Sequence, residues 1–230
     1  MKYGSNLMKV MNKRKIKWIA VLALFITLVS LLGYKTYLRY QEKIVQDKIS
    51  FVNHEIDELL MIFTPYPPTF KDKKAKETSI KRLRDTIALS KTLLEKTKGK
   101  QKAKVEWQLG EMYRFEYNLD TPGSWQKSKQ YLLQAIQNDP QFVKAYLSLG
   151  FLYVNANVTL APDAEKLFLK AKNIATGDDL KAAYNGLYFS YYYQLRPDKA
   201  YKIVIDALRL FPQDKGFQNL RELIEKVINR

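Results

Sequence analysis

The sequence predicts an all-α protein in which short helices pair and stack in a row behind one apolar N-terminal helix. Three observations predict it. From Ile80 onward apolar residues recur at helical spacing almost without interruption, and no alternating β-branched run flanked by hairpin turns competes with them. Related segments recur three times along the chain, which marks a stacked architecture. Near the start, Trp18 to Tyr34 forms a block of seventeen residues without an ionisable side chain.

That block is the first element. Seventeen residues at ~1.5 Å each reach about 25 Å, near the lower limit for crossing the hydrocarbon of a bilayer. Trp18 and Tyr34 stand where interfacial aromatics belong, and Lys35 and Arg39 follow on the far side. Before the block lie Lys2, Lys9, Lys13, Arg14, Lys15 and Lys17 without an acidic residue, and this bias holds the N-terminus in the cytoplasm. The reading is a basic cytoplasmic tail (1–17), a single-pass anchor in the lipid bilayer (18–34), and a C-terminal part on the periplasmic or extracellular side of the cytoplasmic membrane. A cleaved signal fits less well, because no small-x-small site follows Leu31, and the chain has no Cys for a lipid anchor, a disulfide or thiol chemistry.

Residues 35–63 read as a juxtamembrane amphipathic helix, with Ile44, Ile49, Val52, Ile56, Leu59, Leu60 and Ile62 as a stripe in need of a partner. Pro65, Pro67 and Pro68 end it and open a Pro- and Lys-rich linker (64–78). A helical domain over 79–230 follows. It begins with a cap helix (79–97) whose N-cap is Ser79 and whose apolar positions are Ile80, Leu83, Ile87, Leu93 and Leu94, closed near Gly99. The net charge is +16, and much of it sits between Lys71 and Lys104. A solvated face accounts for that run; a tethered chain also brings it close to an anionic membrane surface.

The repeat carries the most specific signal. Tyr146-x2-Leu149-Gly150-x2-Tyr153 is followed by Ala164-x3-Phe168-x2-Ala171. The next unit has Tyr184, Leu187, Tyr188 in the usual glycine position, Tyr191, Ala200, Val204, Ala207 and Pro212. An earlier unit has Leu109, Gly110, Tyr113, Ser128, Leu132, Ala135 and Pro140, with Trp107 one place off. This pattern resembles that of tetratricopeptide repeats (TPR). Leu109, Leu149 and Leu187 recur at intervals of 40 and 38 residues, longer than the ~34 of the family, and the excess falls in loops, where it is tolerated. The resemblance implies a right-handed superhelical stack of helix pairs, at about 103–140, 143–176 and 181–212, closed by a cap helix at 213–230. Small residues let helices approach, and Tyr, Leu and Phe fill the space around them.

Such proteins hold peptides or partner domains in a groove lined by the first helix of each pair. Carried over by register, the groove here is Trp107, Glu111 and Arg114, then Lys144, Leu147, Phe151 and Val154, then Asn185, Phe189 and Tyr192. It lacks the regular Lys and Asn set with which some members clamp a C-terminal carboxylate.

Reactive chemistry is sparse. His54 is the only histidine and reads as solvated. Asp178 and Asp179 read as a helix N-cap, and Asp163 and Glu165 as first-turn acids. Phosphate loops, serine elbows and metal-ligand spacings are missing. The expectation is therefore a scaffold or adaptor without enzyme activity, cofactor or metal, docking protein partners in envelope assembly or secretion. The competing reading turns the chain to the cytosol and makes it a basic binder of nucleic acid or anionic lipid; no base-reading motif supports the nucleic-acid version.

Overall fold

The computed structural model describes residues 3–228, with side chains described at 17, 18, 21, 22 and from 24 onward. Every regular element among them is helical: α1 (Tyr3–Phe63), α2 (Lys73–Leu94), α3 (Gly99–Asn118), α4 (Ser124–Asn138), α5 (Val143–Ala156), α6 (Ala161–Ile174), α7 (Gly177–Tyr193), α8 (Pro197–Leu210) and α9 (Lys215–Ile228), with a single 3-10 turn at Val158–Leu160. The chain divides into two compact units, 1–48 and 49–230.

In the first unit the described apolar side chains as far as Tyr40 lie exposed, Trp18 and Leu24 each at 73%. The hydroxyls of Thr27 and Thr36 donate to the carbonyls of Leu24 and Leu32, at 2.8 and 2.9 Å, so these polar groups are satisfied within the helix. Among the described residues no helix is long and apolar enough to cross a membrane. The side chains of the expected tail up to residue 16, and those of Ile19, Ala20 and Ala23 in the expected anchor, lie outside the described residues.

The second unit is the helix stack, and it begins thirty residues before the expected boundary at 79. The stripe on residues 35–63 does have a partner, and the partner is the domain itself: Ile49, Val52, Ile56, Leu59 and Phe63 are all buried. Polar ties fix this last stretch of α1. The Gln108 amide donates to the Ile49 carbonyl (2.8 Å) and to Asn53 Oδ1 (2.6 Å), and Asn118 Nδ2 donates to the Phe63 carbonyl (2.8 Å). Arg82 on α2 grips the buried Glu55 with two hydrogen bonds. The residues after the proline segment are also helical earlier than expected. Asp72, not Ser79, caps α2, its carboxylate accepting the Ala75 N–H at 2.7 Å, so the linker ends there and Lys73 to Thr78 form the first turns of helix.

From α3 onward the helices follow the repeat. Successive helices pack antiparallel in pairs, α3 with α4, α5 with α6, α7 with α8, and α9 closes on α8. The small residues do what close approach requires. Ala164, Ala171, Ala200 and Ala207 have no exposed surface, and buried Ser128 donates to the Gly110 carbonyl at 2.8 Å. A Cβ placed on Gly110 or Gly150 would lie 2.6 Å from Leu132 and Phe168 respectively. Phe168 meets a second glycine, Gly186 on α7, which the repeat pattern does not single out, and a Cβ there would collide with the same ring. One phenyl ring is thus wedged between the glycines of two consecutive pairs.

Element ends differ locally from expectation. α2 ends at Leu94, and Gly99, at φ +52°, opens α3 instead of closing α2. Asp178 and Asp179 lie inside the first turn of α7, behind Thr176 at the N-cap, where they complement the helix dipole. α9 spans Lys215–Ile228, narrower than 213–230, whose last two residues lie outside the described ones. The turn after α7 holds Leu195 in left-handed backbone, at φ +55°, with its side chain 87% exposed.

Candidate partner-binding cleft

The first helices of the pairs, α3, α5 and α7, line up as neighbours, and the end of α1 joins them. Between them lies a cleft of about 470 Å³, which receives Trp107, Glu111, Arg114, Lys144, Leu147 and Phe151 from the predicted groove. Its apolar floor rests on the stack. Phe151 meets the Phe168 ring edge-on at 4.9 Å, and Trp107 packs edge-on to Phe142 at 5.8 Å while its Nε1 donates to Ser148 Oγ at 2.9 Å. Lys144 Nζ sits 5.2 Å over the Trp107 ring, a cation–π placement. Glu111 and Arg114, one helical turn apart, pair at 2.6 Å, and the guanidinium also lies over Phe115.

A second hollow of about 540 Å³ continues the first, sharing Thr64, Arg114, Phe151 and Asn155 with it, and ends at Tyr66 and Asp120. The Tyr66 hydroxyl donates to Asp120 Oδ1 at 3.1 Å, and this bond to a carboxylate raises the phenol's pKa.

Four predicted groove residues fall elsewhere. Val154 is buried in the core, because its register on α5 turns it toward the neighbouring helices. Asn185 lines a separate hollow of about 350 Å³ between α7 and α9, beside the Lys181–Asp214 ion pair. Phe189 packs half-buried against Tyr188 and Tyr193. Tyr192 opens on another edge, into an apolar hollow of about 550 Å³ with Val158, Tyr193, Leu195, Pro197 and Val227. Most of the residues chosen by register on α3 and α5 line this cleft, and none of those chosen on α7 does; there six aromatic or hydroxyl residues in succession surround the helix and no single stripe stands out.

Sequence reasoning missed the wall contributed by Ile56, Asp57 and Leu60 of α1 and by Thr64 just after it, together with Asp179 and Ala182 of α7. Ile56 and Leu60 belonged to a stripe already visible in the sequence, so the signal existed; what it packed against was not visible.

Besides Glu111, which is buried in the cleft wall, two buried carboxylates lie away from the cleft. Glu106 is 2% exposed, and burial pushes its pKa up, opposed by Asn138 Nδ2, which donates to both oxygens at 3.0 and 2.7 Å, and by Lys102. Glu55 moves the other way, held down chiefly by the Arg82 hydrogen bonds. His54 is exposed, and among the described residues no group of His, Asp and Glu is arranged to hold a metal ion.

No protein-family model matches the chain, and no curated protein matches it. Among solved structures, the crystal structure of a thermophilic TPR protein from Thermus thermophilus is similar, with a TM-score of 0.52 and 18% identity, covering 64% of this chain and 75% of that one. At that identity the likeness concerns the fold: the helices of this chain form a TPR-like stack.

Proposed function

We propose that this protein is a membrane-anchored scaffold that receives a segment of a protein partner in the cleft between α1, α3, α5 and α7, outside the cytoplasm, in envelope assembly or secretion. The observation that carries the docking role is the cleft itself. It is apolar at its floor, rimmed by charges, and continuous over two hollows, as a peptide-binding groove requires.

The anchor rests on the sequence block from Trp18 to Tyr34 and on the basic residues before it. Its described side chains, exposed together on one helix, are too many and too apolar to face water without a cover. The positive-inside bias then directs the stack outward. The exposed lysines of the linker and of α2, among them Lys71, Lys73, Lys74, Lys76 and Lys81, suit an anionic membrane surface.

Topology is tested by fusing alkaline phosphatase after residue 230, with a reporter active only in the cytoplasm as counterpart. Phosphatase activity is expected; an inactive fusion with a bright cytoplasmic reporter reverses the orientation and revives the cytosolic, anion-binding reading. Docking is tested in cells with a photo-crosslinking residue at Asn155, in the cleft, and at exposed Gln137, on α4. Discrete adducts are expected at Asn155 alone; equal or absent adducts at both positions refute the cleft.

A further inference from the structure

The cleft has a charge of its own, opposite to that of the chain. Across both hollows its lining includes four carboxylates, Asp57, Glu111, Asp120 and Asp179, against two cations, Arg114 and Lys144. The chain as a whole carries 39 Lys and Arg against 23 Asp and Glu.

The internal pairings sharpen the contrast. Arg114 is already satisfied by Glu111 at 2.6 Å, and Lys144 lies on the Trp107 ring at 5.2 Å. Among the described residues Asp120 accepts only the Tyr66 hydroxyl. Asp57 of α1 and Asp179 of α7 both line the first hollow, and neither has a cation within ion-pairing distance among the described residues. A concave wall focuses the field of such carboxylates and draws counter-charge toward it.

From this we infer that the partner segment is cationic and amphipathic. It places an aliphatic or aromatic side chain on Leu60, Leu147 and Phe151, and lysine or arginine on either side of that anchor, one toward Asp57 and Asp179 and the other toward Asp120. The inference rests on the cleft being the docking site and adds the chemistry of what docks. It also excludes two ligand classes from the cleft. A nucleic acid backbone or an acidic peptide tail would bring negative charge against Asp57 and Asp179, which no cation pairs among the described residues, and like charges brought together in this way are costly.

The test uses the full chain in nanodiscs and a phage-displayed library of random twelve-residue peptides. Selection is counter-screened on Thr64→Trp, which fills the junction of the two hollows from an exposed position that the fold does not need buried. Enriched sequences are expected to pair an apolar anchor with lysine or arginine. Their affinity, measured with fluorescein-labelled synthetic peptides, is expected to fall at least tenfold in Asp57→Lys combined with Asp179→Lys, and to weaken as salt is raised.

Neutral or acidic enriched peptides, or cationic ones indifferent to both reversals yet lost in Thr64→Trp, overturn the charge assignment while leaving the cleft as the docking site. Peptides that bind Thr64→Trp as well as the parent chain, or a library that yields nothing above that control, overturn the cleft as well. Circular dichroism of each variant matching the parent shows that an affinity loss is not unfolding.

Discussion

The two halves of the stack are held together by different means. From Ile49 to Asn138 the helices are cross-tied by polar side chains: Gln108 and Asn118 on the end of α1, Arg82 on Glu55, and Asn138 on Glu106. From Val143 to Ile228 shape takes the larger part, with alanines that have no exposed surface and Phe168 between Gly150 and Gly186, beside the ties of Arg196 to Glu165 and Lys181 to Asp214. Shape repeats from pair to pair because each pair presents the next with the same problem. Directional hydrogen bonds are particular to one junction, so the contacts of α1 and α2 leave no repeated spacing in the chain.

The comparison breaks most visibly at Phe168. Phe168→Ala is expected to cost about 3–5 kcal/mol, since it opens a cavity between two pairs at once. Urea unfolding followed by far-UV circular dichroism measures it, and a loss below about 1 kcal/mol would show that the second half does not depend on shape. Gly186→Ala comes next, at about 1–3 kcal/mol, because the added methyl collides with a ring that has no free side to turn to.

Polar ties should weigh less per residue and respond to pH. Arg82→Ala is expected to cost about 1–2 kcal/mol, a value reduced because the Arg82 side chain is 38% exposed and screened by water. Glu55 has its pKa lowered on folding, so this contribution is present in full above the ordinary carboxylate value and is lost as the pH falls through the lowered one. Parent and variant should therefore converge in stability under acid; a difference that persists there would assign the loss to packing.

Glu106 runs the opposite way. Its pKa is raised by burial, so its charge destabilises the fold at neutral pH and ceases to do so as the pH falls through that raised value. Glu106→Gln keeps one oxygen for Asn138 and should stabilise by about 1 kcal/mol at neutral pH, with no gain in acid. The smallest effect belongs to Leu195. Leu195→Asn relieves left-handed strain that asparagine tolerates, and a rise of about 0.5–1 kcal/mol is expected by thermal unfolding.

What could be read from the sequence follows the same division. Leu109, Leu149 and Leu187 located α3, α5 and α7, and the small residues located the helices packed on them, because a repeated packing problem leaves a repeated spacing in the chain. The stripe from Ile49 to Leu60 was visible too, but periodicity reports which face of a helix is apolar and not what covers it. A membrane stalk and a domain wall write the same pattern. Asp72 lost to Ser79 as the predicted cap because the lysines after it hid the helix, their polarity resembling a linker. Within the cleft, the residues that register placed on α3 and, apart from Val154, on α5 converge, while those on α7 scatter, where Tyr188 stands in the usual glycine position and the close contact falls at Gly186.

The Phe168 wedge reaches further than stability. Its ring supports Phe151, which lines the cleft, and at the same time sets how near α7 can come to α5. It works as a shim, so exchanging it for leucine would let neighbouring layers settle closer and narrow the opening, retuning which guests fit without altering any residue a guest would touch.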